Sequence, residues 1–416
     1  MGREITTGKG KRIEILDILR GFALAGILYA HMVFWYTGAA LPPGVYFKYD
    51  SLPDNVAFAI FGAFVFGKFF SVFSFLFGLG FYLYFHKRKD EGNFNTTYLW
   101  RMFLLLLIGL AHHSLWRGDI LAVYAVLGML LLFFRRLPTK LLALISLFFI
   151  INLPTHIYEL FQVPAAKVEF PMASQATDYY MLIKSGDLQT VVTENTLSWA
   201  AKMQYQLESG RFLMTLGYFL LGLYAGRRRL FRNIEKNLKN FQKWNKISLN
   251  IVLILLTAGL LMYLFELVTL PQLEIAPPLQ WPAGLLFSIY NASLTIFFIT
   301  GVSLLYRKKV FQNFLSPLGV MGRMALTNYL LQTVFGLLIF YQFGLGLFDQ
   351  TSPAINILVA ILIFHLQLKF SQLWLRHFKQ GPVEWLWRSL TYFKFKPNRR
   401  KPKKKEAVMV EEVSNG

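Results

Sequence analysis

The chain contains no cysteine. Disulfides, thiolate nucleophiles and cysteine-bound metals are therefore excluded. It is also poor in charge. Only 16% of its 416 residues are Asp, Glu, Lys or Arg, against about 25% in soluble domains. Four motifs are missing: a Gly-x4-Gly-Lys-Ser/Thr loop, a Gly-x-Gly-x-x-Gly turn before a helix, His-Glu-x-x-His and Gly-x-Ser-x-Gly. Neither ATP-driven work nor a serine-hydrolase elbow has support. The seven His residues lie scattered, without metal-ligand spacing, so no metal is expected. No succession of alternating ten-residue strands is present, which argues against a β-barrel.

What the chain has is apolar length. It is 55% hydrophobic with a mean hydropathy of +0.44. Ten runs read as membrane spans: about 13–36, 57–85, 98–116, 119–134, 140–160, 211–226, 247–269, 282–305, 322–341 and 353–375. The expected fold is all-α, a polytopic transmembrane helix bundle. Run 57–85 is long enough to need a tilt, or a kink at Gly78 or Gly80. The apolar stretch Ile13–Tyr36 exceeds the roughly 7–15 residues of a signal-peptide core and reads as a retained first span. The chain then divides into five-span bundles over 13–160 and 211–393, joined by a loop region at 161–210. A basic tail at 394–416 is expected to be disordered.

Of the 43 Lys and Arg residues, 32 fall on the side of the two termini and six on the other. This asymmetry predicts cytoplasmic termini, residues 1–12 included. The net charge of +21 thus reflects membrane sidedness rather than nucleic-acid binding. The expected partners are the lipid bilayer and, for the run Arg399–Lys405, anionic lipid. The loop region at 161–210 reads either as a solvated connector or as a lid facing substrate.

Ionisable groups inside spans cost about 2.5–3.5 kcal/mol each on insertion scales, so they mark candidate sites. The first span carries Asp17, Arg20 and His31. As a helix, it places Arg20 and His31 about 16 Å apart and within roughly 20° of one face. Asp17 lies one turn before Arg20, at ion-pairing distance. The third span ends in His112-His113, and Asp119 follows at the start of the fourth. Asp119 there is placed to cap a helix, or to orient a histidine as in acid–base pairs. Lys68 and Arg101, cations inside apolar runs, are candidates to meet an anionic ligand. Arg323, Thr327, Asn328 and Gln332 form a polar stripe suited to interhelical hydrogen bonds. His365 and Lys369 share a face of the last span.

These residues sit in longer strings. Leu16-Asp-Ile-Leu-Arg-Gly-Phe-Ala-Leu-Ala-Gly, Lys68-Phe-Phe-Ser-Val-Phe-Ser-Phe-Leu-Phe-Gly, Gly109-Leu-Ala-His112, Gly118-Asp-Ile-Leu121 and Gly381-Pro-Val-Glu-Trp-Leu-Trp-Arg-Ser-Leu-Thr-Tyr392 run in this order along the chain. Together they resemble the bacterial YeiB-type membrane family, defined by domain of unknown function 418. Its first span is in turn similar to the wider transmembrane acyltransferase superfamily. That group includes bacterial glycan O-acyltransferases and heparan glucosamine N-acetyltransferases. The resemblance implies a bacterial plasma-membrane protein that moves an acyl group from a cytoplasmic donor, such as acyl-CoA, to an acceptor outside. No tightly bound cofactor is implied. Arg20 matches the Leu-Arg-Gly arginine. His31 falls near the O-acyltransferases' first-span histidine, where YeiB-type members commonly carry Asn. His112 and Asp119 match the family's own motifs. Either His31 or His112 would be the base, with Arg20 stabilising negative charge. A transporter or exporter using the same charged face, and an accessory subunit, are the alternatives.

Overall fold

The structure is a computed structural model that describes residues 13–37, 49–161, 176–264, 268–269, 274–275 and 277–400. Apart from a two-residue ladder pairing Val268 with Ile275 and Thr269 with Glu274, and one isolated bridge between Phe378 and Arg399, these residues form helices and their connections. Six helices are long and apolar enough to cross a membrane: Glu14–Trp35, Leu52–Arg88, Phe94–Leu115, Leu238–Met262, Trp281–Tyr306 and Pro353–His377. The protein is thus a helical membrane protein.

Each of the ten runs contains helix, but four fall short of a full crossing. Leu121–Phe134 has 14 residues and Arg211–Arg227 has 17. At 1.5 Å per residue these rise about 21 and 26 Å, less than the roughly 30 Å hydrocarbon layer. Run 140–160 breaks into Thr139–Ile150 and Leu153–Phe161 around Asn152, whose φ is 55°. Run 322–341 forms Ala325–Phe340, bent by 82° from the preceding helix Lys309–Gly322. The bend has a distant cause. Glu384 accepts hydrogen bonds from the Leu326 and Thr327 amides at 2.7 and 3.0 Å. The orphan donors of a new helix start are satisfied there.

The long run 57–85 breaks at neither Gly78 nor Gly80. Helix Leu52–Ile60 passes through a π-helical stretch, Phe61–Val65, and turns at Gly67 before Phe69–Arg88 begins. Gly67 has φ +80°, a region open to glycine and strained for other residues. Gly78 instead permits a close helix contact. A Cβ at that position would lie 1.9 Å from the Phe219 carbonyl oxygen of helix Arg211–Arg227.

The first helix is the axis of the bundle, with Ile18, Leu19, Ala23, Leu24 and Leu28 fully buried. It too ends in a π-helical stretch, His31–Trp35. Three short helices, Ala176–Ser185, Leu188–Leu197 and Trp199–Glu208, occupy the described part of the 161–210 region. At the C-terminal end, Phe378 pairs with Arg399, and the Trp385 indole donates to the Lys396 carbonyl. Residues 394–400 therefore belong to the folded body, a correction to the expected start of the tail. The rest of the basic tail, and residues 1–12, lie outside the described residues.

Candidate functional site

Helix Phe94–Leu115 ends at Trp116, whose extended backbone turns the chain. Asp119 follows, and its two carboxylate oxygens accept from the Leu121 and Ala122 amides, both at 3.0 Å. The carboxylate thereby caps the next helix. Asp119 Oδ1 also lies 2.7 Å from His112 Nδ1. On the far side of the ring, His112 Nε2 is 2.7 Å from Thr333 Oγ1. Thr333 Oγ1 in turn accepts from the Tyr36 hydroxyl at 2.9 Å. With the imidazole neutral, every proton in this line has an acceptor: Tyr36 donates to Thr333, Thr333 to His112, and His112 to Asp119. His112 and Asp119 are 4% and 2% exposed. Both ring nitrogens of His112 are engaged, so it has none free for a substrate.

His31 is different. It opens the π-helical stretch and packs edge-on against Trp116 with ring centres 4.7 Å apart. It is 7% exposed, and its Nδ1 is buried without a hydrogen-bond partner among the described residues. Its side chain lines a cavity of about 200 Å3, together with Trp35, Phe70, Asp119, Lys202, Arg211 and Tyr329. π-helical turns commonly re-aim side chains at functional positions, and two of them border this cavity. Helix Trp199–Glu208 contributes Ala201, Lys202, Tyr205 and Gln206 to its lining. From that helix, Lys202 Nζ donates to the Asp119 carbonyl and sits 3.3 Å from His113 Nδ1. Burial pulls the Lys202 ammonium down to about 8, with Asp119 acting in the opposite direction.

A second cavity, of about 390 Å3, is lined by Arg20, Arg101, Arg323, Glu384, Tyr84 and Trp387 among others. Arg20 pairs with Asp17 at 2.7 Å. The Arg101 guanidinium stacks 3.6 Å above the Trp387 ring, and the Trp387 indole donates to the Arg101 carbonyl. Ile27, Phe70, Ile120 and Tyr329 line both cavities. These four residues are shared by the two linings, so the histidine-side and arginine-side cavities adjoin.

The structure thus distributes the candidate residues over two compartments. His31 lines the first, with His112 held behind it by Asp119. Arg20 and Arg101 line the second. Lys68 joins neither lining: it is fully buried, donates to the Gly62 carbonyl at 2.9 Å, and lies 5.3 and 5.1 Å from the Phe287 and Tyr290 rings. The stripe on helix Ala325–Phe340 is an interhelical network. Asn328 donates to Ser371, and Gln332 to the Leu24 carbonyl. His365 and Lys369 share an exposed face of their helix. Among the described residues no three His, Asp or Glu converge on a metal-sized point. Sequence reasoning missed Tyr36, Thr333, Lys202 and Arg211. Thr333 follows Gln332 in the polar stripe by one position. Lys202 and Arg211 had been visible only as charges beside a loop.

The fold and the two adjoining cavities define a helical membrane protein with a polar interior. A family model described as "Protein of unknown function (DUF418)" matches residues 225–394. The chain is 31% identical to the uncharacterised protein YxaH of Bacillus subtilis (strain 168), over 94% of this chain and 97% of that protein. It is 28% identical to an uncharacterised 39.9 kDa protein of the amylase 3' region of Bacillus acidopullulyticus, over 92% and 94% of the two chains. A segment of 70 residues is 51% identical to the uncharacterised protein YeiB of Escherichia coli (strain K12), 17% of this chain and 18% of that one. The chain belongs to the DUF418 family.

Proposed function

We propose that this protein is a transmembrane acyltransferase of the bacterial plasma membrane, with both termini in the cytoplasm and the shorter apolar helices packed among the six that are long enough to cross. The arginine-side cavity then faces the cytoplasm and the histidine-side cavity faces outward. One observation carries the reading: the two cavities share four lining residues, and His31, with Nδ1 unpartnered among the described residues, lines one of them.

In this reading an acyl thioester such as acyl-CoA enters the arginine side. Arg20 and Arg101 hold its anionic part, and its acyl carbon reaches Tyr329, which lines both cavities. A hydroxyl of the acceptor, seated on the histidine side, attacks that carbon. His31 takes the hydroxyl proton as the new C–O bond forms, and the C–S bond breaks. The proton then passes from His31 to the thiolate leaving group. His112, with both nitrogens engaged, is a positioning residue: the Tyr36–Thr333–His112–Asp119 line fixes Trp116 and the floor beneath His31.

The test uses purified protein in vesicles with radiolabelled acyl-CoA supplied on the arginine side and a mixed extract of cell-envelope material on the other. Covalent label on the acceptor supports the reading. The same pair of adjoining cavities also suits a transporter or exporter working by alternating access. Substrate-dependent flux with no covalent product would favour that second reading.

A further inference from the structure

The histidine-side cavity carries more cations than carboxylates among the described residues. Lys202, Arg211 and Arg117 all line it, and Asp119 is the carboxylate among its lining residues. Asp119 is already committed to two helix amides, to His112 and to Lys202. Arg211 has no carboxylate partner among the described residues. Its guanidinium lies 5.0 Å from the Phe70 ring and 5.7 Å from the Trp35 ring, an aromatic bracket that fixes its position. Arg117 is held the same way, over Tyr179 at 4.2 Å and against Asn195 Oδ1 at 3.0 Å. The Lys202 side chain is 8% exposed. Arg211 is also the first residue of helix Arg211–Arg227, which starts without a side-chain cap, so the positive end of its dipole adds to the same field. A cation at that end of a helix is unfavourable by itself and is relieved by an anion.

Three cations held around one cavity against a single, already committed carboxylate, beside a buried imidazole whose Nδ1 has no partner among the described residues, describe a site completed by its ligand. We infer that the histidine-side cavity binds an anionic alcohol, a hydroxyl compound bearing a phosphate or carboxylate group, with Arg211 and Lys202 on the anion and His31 at the hydroxyl. This rests on the acyltransferase reading for the role of the hydroxyl. The anion site itself is independent of that reading. Phosphate and carboxylate bind guanidinium through the same paired-oxygen geometry, which is why the class is stated by charge.

The absence of cysteine allows a direct test with the full chain in vesicles. Ala201 lines the cavity and is replaced by cysteine, Ala201→Cys. The new thiol is modified by two methanethiosulfonate reagents of similar size, one carrying a sulfonate and one a trimethylammonium group. Their rate ratio is divided by the ratio for a free thiol in the same buffer. A cationic cleft raises the local concentration of anions by a factor of about ten or more. The expected normalised ratio is therefore on the order of tenfold in favour of the sulfonate. It should fall several-fold in Arg211→Gln and in Lys202→Gln and persist in Arg211→Lys, which controls for folding. A ratio near one, a ratio that survives both neutralisations, or no modification by either reagent overturns the inference. Acyl transfer without charge preference would remove the anionic acceptor and leave the transferase reading. Charge preference without transfer would do the reverse.

Discussion

Replacing Asp119 by alanine removes more than one interaction. The Leu121 and Ala122 amides each lose an acceptor at 3.0 Å, and the His112 Nδ1 proton loses its acceptor at 2.7 Å. Lys202 loses the carboxylate 3.8 Å from its ammonium. Losing a helix cap costs about 1 kcal/mol, and leaving a buried donor unmet costs about 1–3 kcal/mol. Removing one partner of a buried ion pair costs about 3–5 kcal/mol in total. These effects overlap, so the expected loss is about 3–5 kcal/mol for Asp119→Ala. Asp119→Asn, with its amide nitrogen in the Oδ1 position, keeps an acceptor for the Ala122 amide and loses the one for Leu121. Its amide N–H faces His112 Nδ1 and forces the other tautomer, which reverses the donors along Thr333 and Tyr36. Its loss should be smaller, about 1–2 kcal/mol. The assay is denaturant unfolding in detergent, followed by tryptophan fluorescence, since Trp116 lies beside the line. Asp119→Ala within about 0.5 kcal/mol of the parent, the usual size of a surface substitution, would refute the account of this network.

Three further outcomes follow from particular contacts. Gly78→Ala should cost about 2 kcal/mol, because its Cβ would meet the Phe219 carbonyl at 1.9 Å; the same unfolding assay checks it. Lys68→Met should leave the KM for an acyl donor unchanged, since Lys68 lines neither cavity; a marked rise in KM would return Lys68 to the site. The sulfonate preference at Ala201→Cys should fall as pH rises from 7 to 9, because burial pulls the Lys202 ammonium down to about 8. Asp119, His113 and Arg211 are the charged and titratable groups acting on it. In the unfolded chain this lysine keeps its proton to a higher pH, so its contribution to stability rises with pH above about 8. A preference constant across that range would show that Lys202 does not set the cavity's charge.

Much of the helical order was legible because apolar runs of this length have few other uses. Asp17–Arg20 and His112–Asp119 were legible for a related reason: each pair is separated by a turn or a short connection, so local geometry brings it together. What was hidden depends on distant partners. Thr333 reaches His112 across 221 positions. The bend before Ala325 is held by Glu384, 58 positions beyond Leu326. Lys202 looked like one more loop charge because nothing local says that its helix lines the cavity. The surroundings of Lys68 were hidden for a similar reason. Its burial was legible, but a carbonyl and two rings surround it, and no spacing in the sequence announces them. The long run 57–85 pointed to Gly78 as a kink because glycine breaks helices in isolation. In the bundle, the missing side chain makes room for another backbone.

The most direct measurement is the rate of acyl transfer by His31→Gln and His112→Gln in vesicles, each against the parent. The account predicts a loss of roughly 10²–10⁴-fold for His31→Gln, the range for removing a general base. It predicts a smaller loss for His112→Gln, whose ring only holds the floor of the site. Parental transfer by His31→Gln would contradict the assignment of the proton to His31, and with it the reading of the two cavities as donor and acceptor sides.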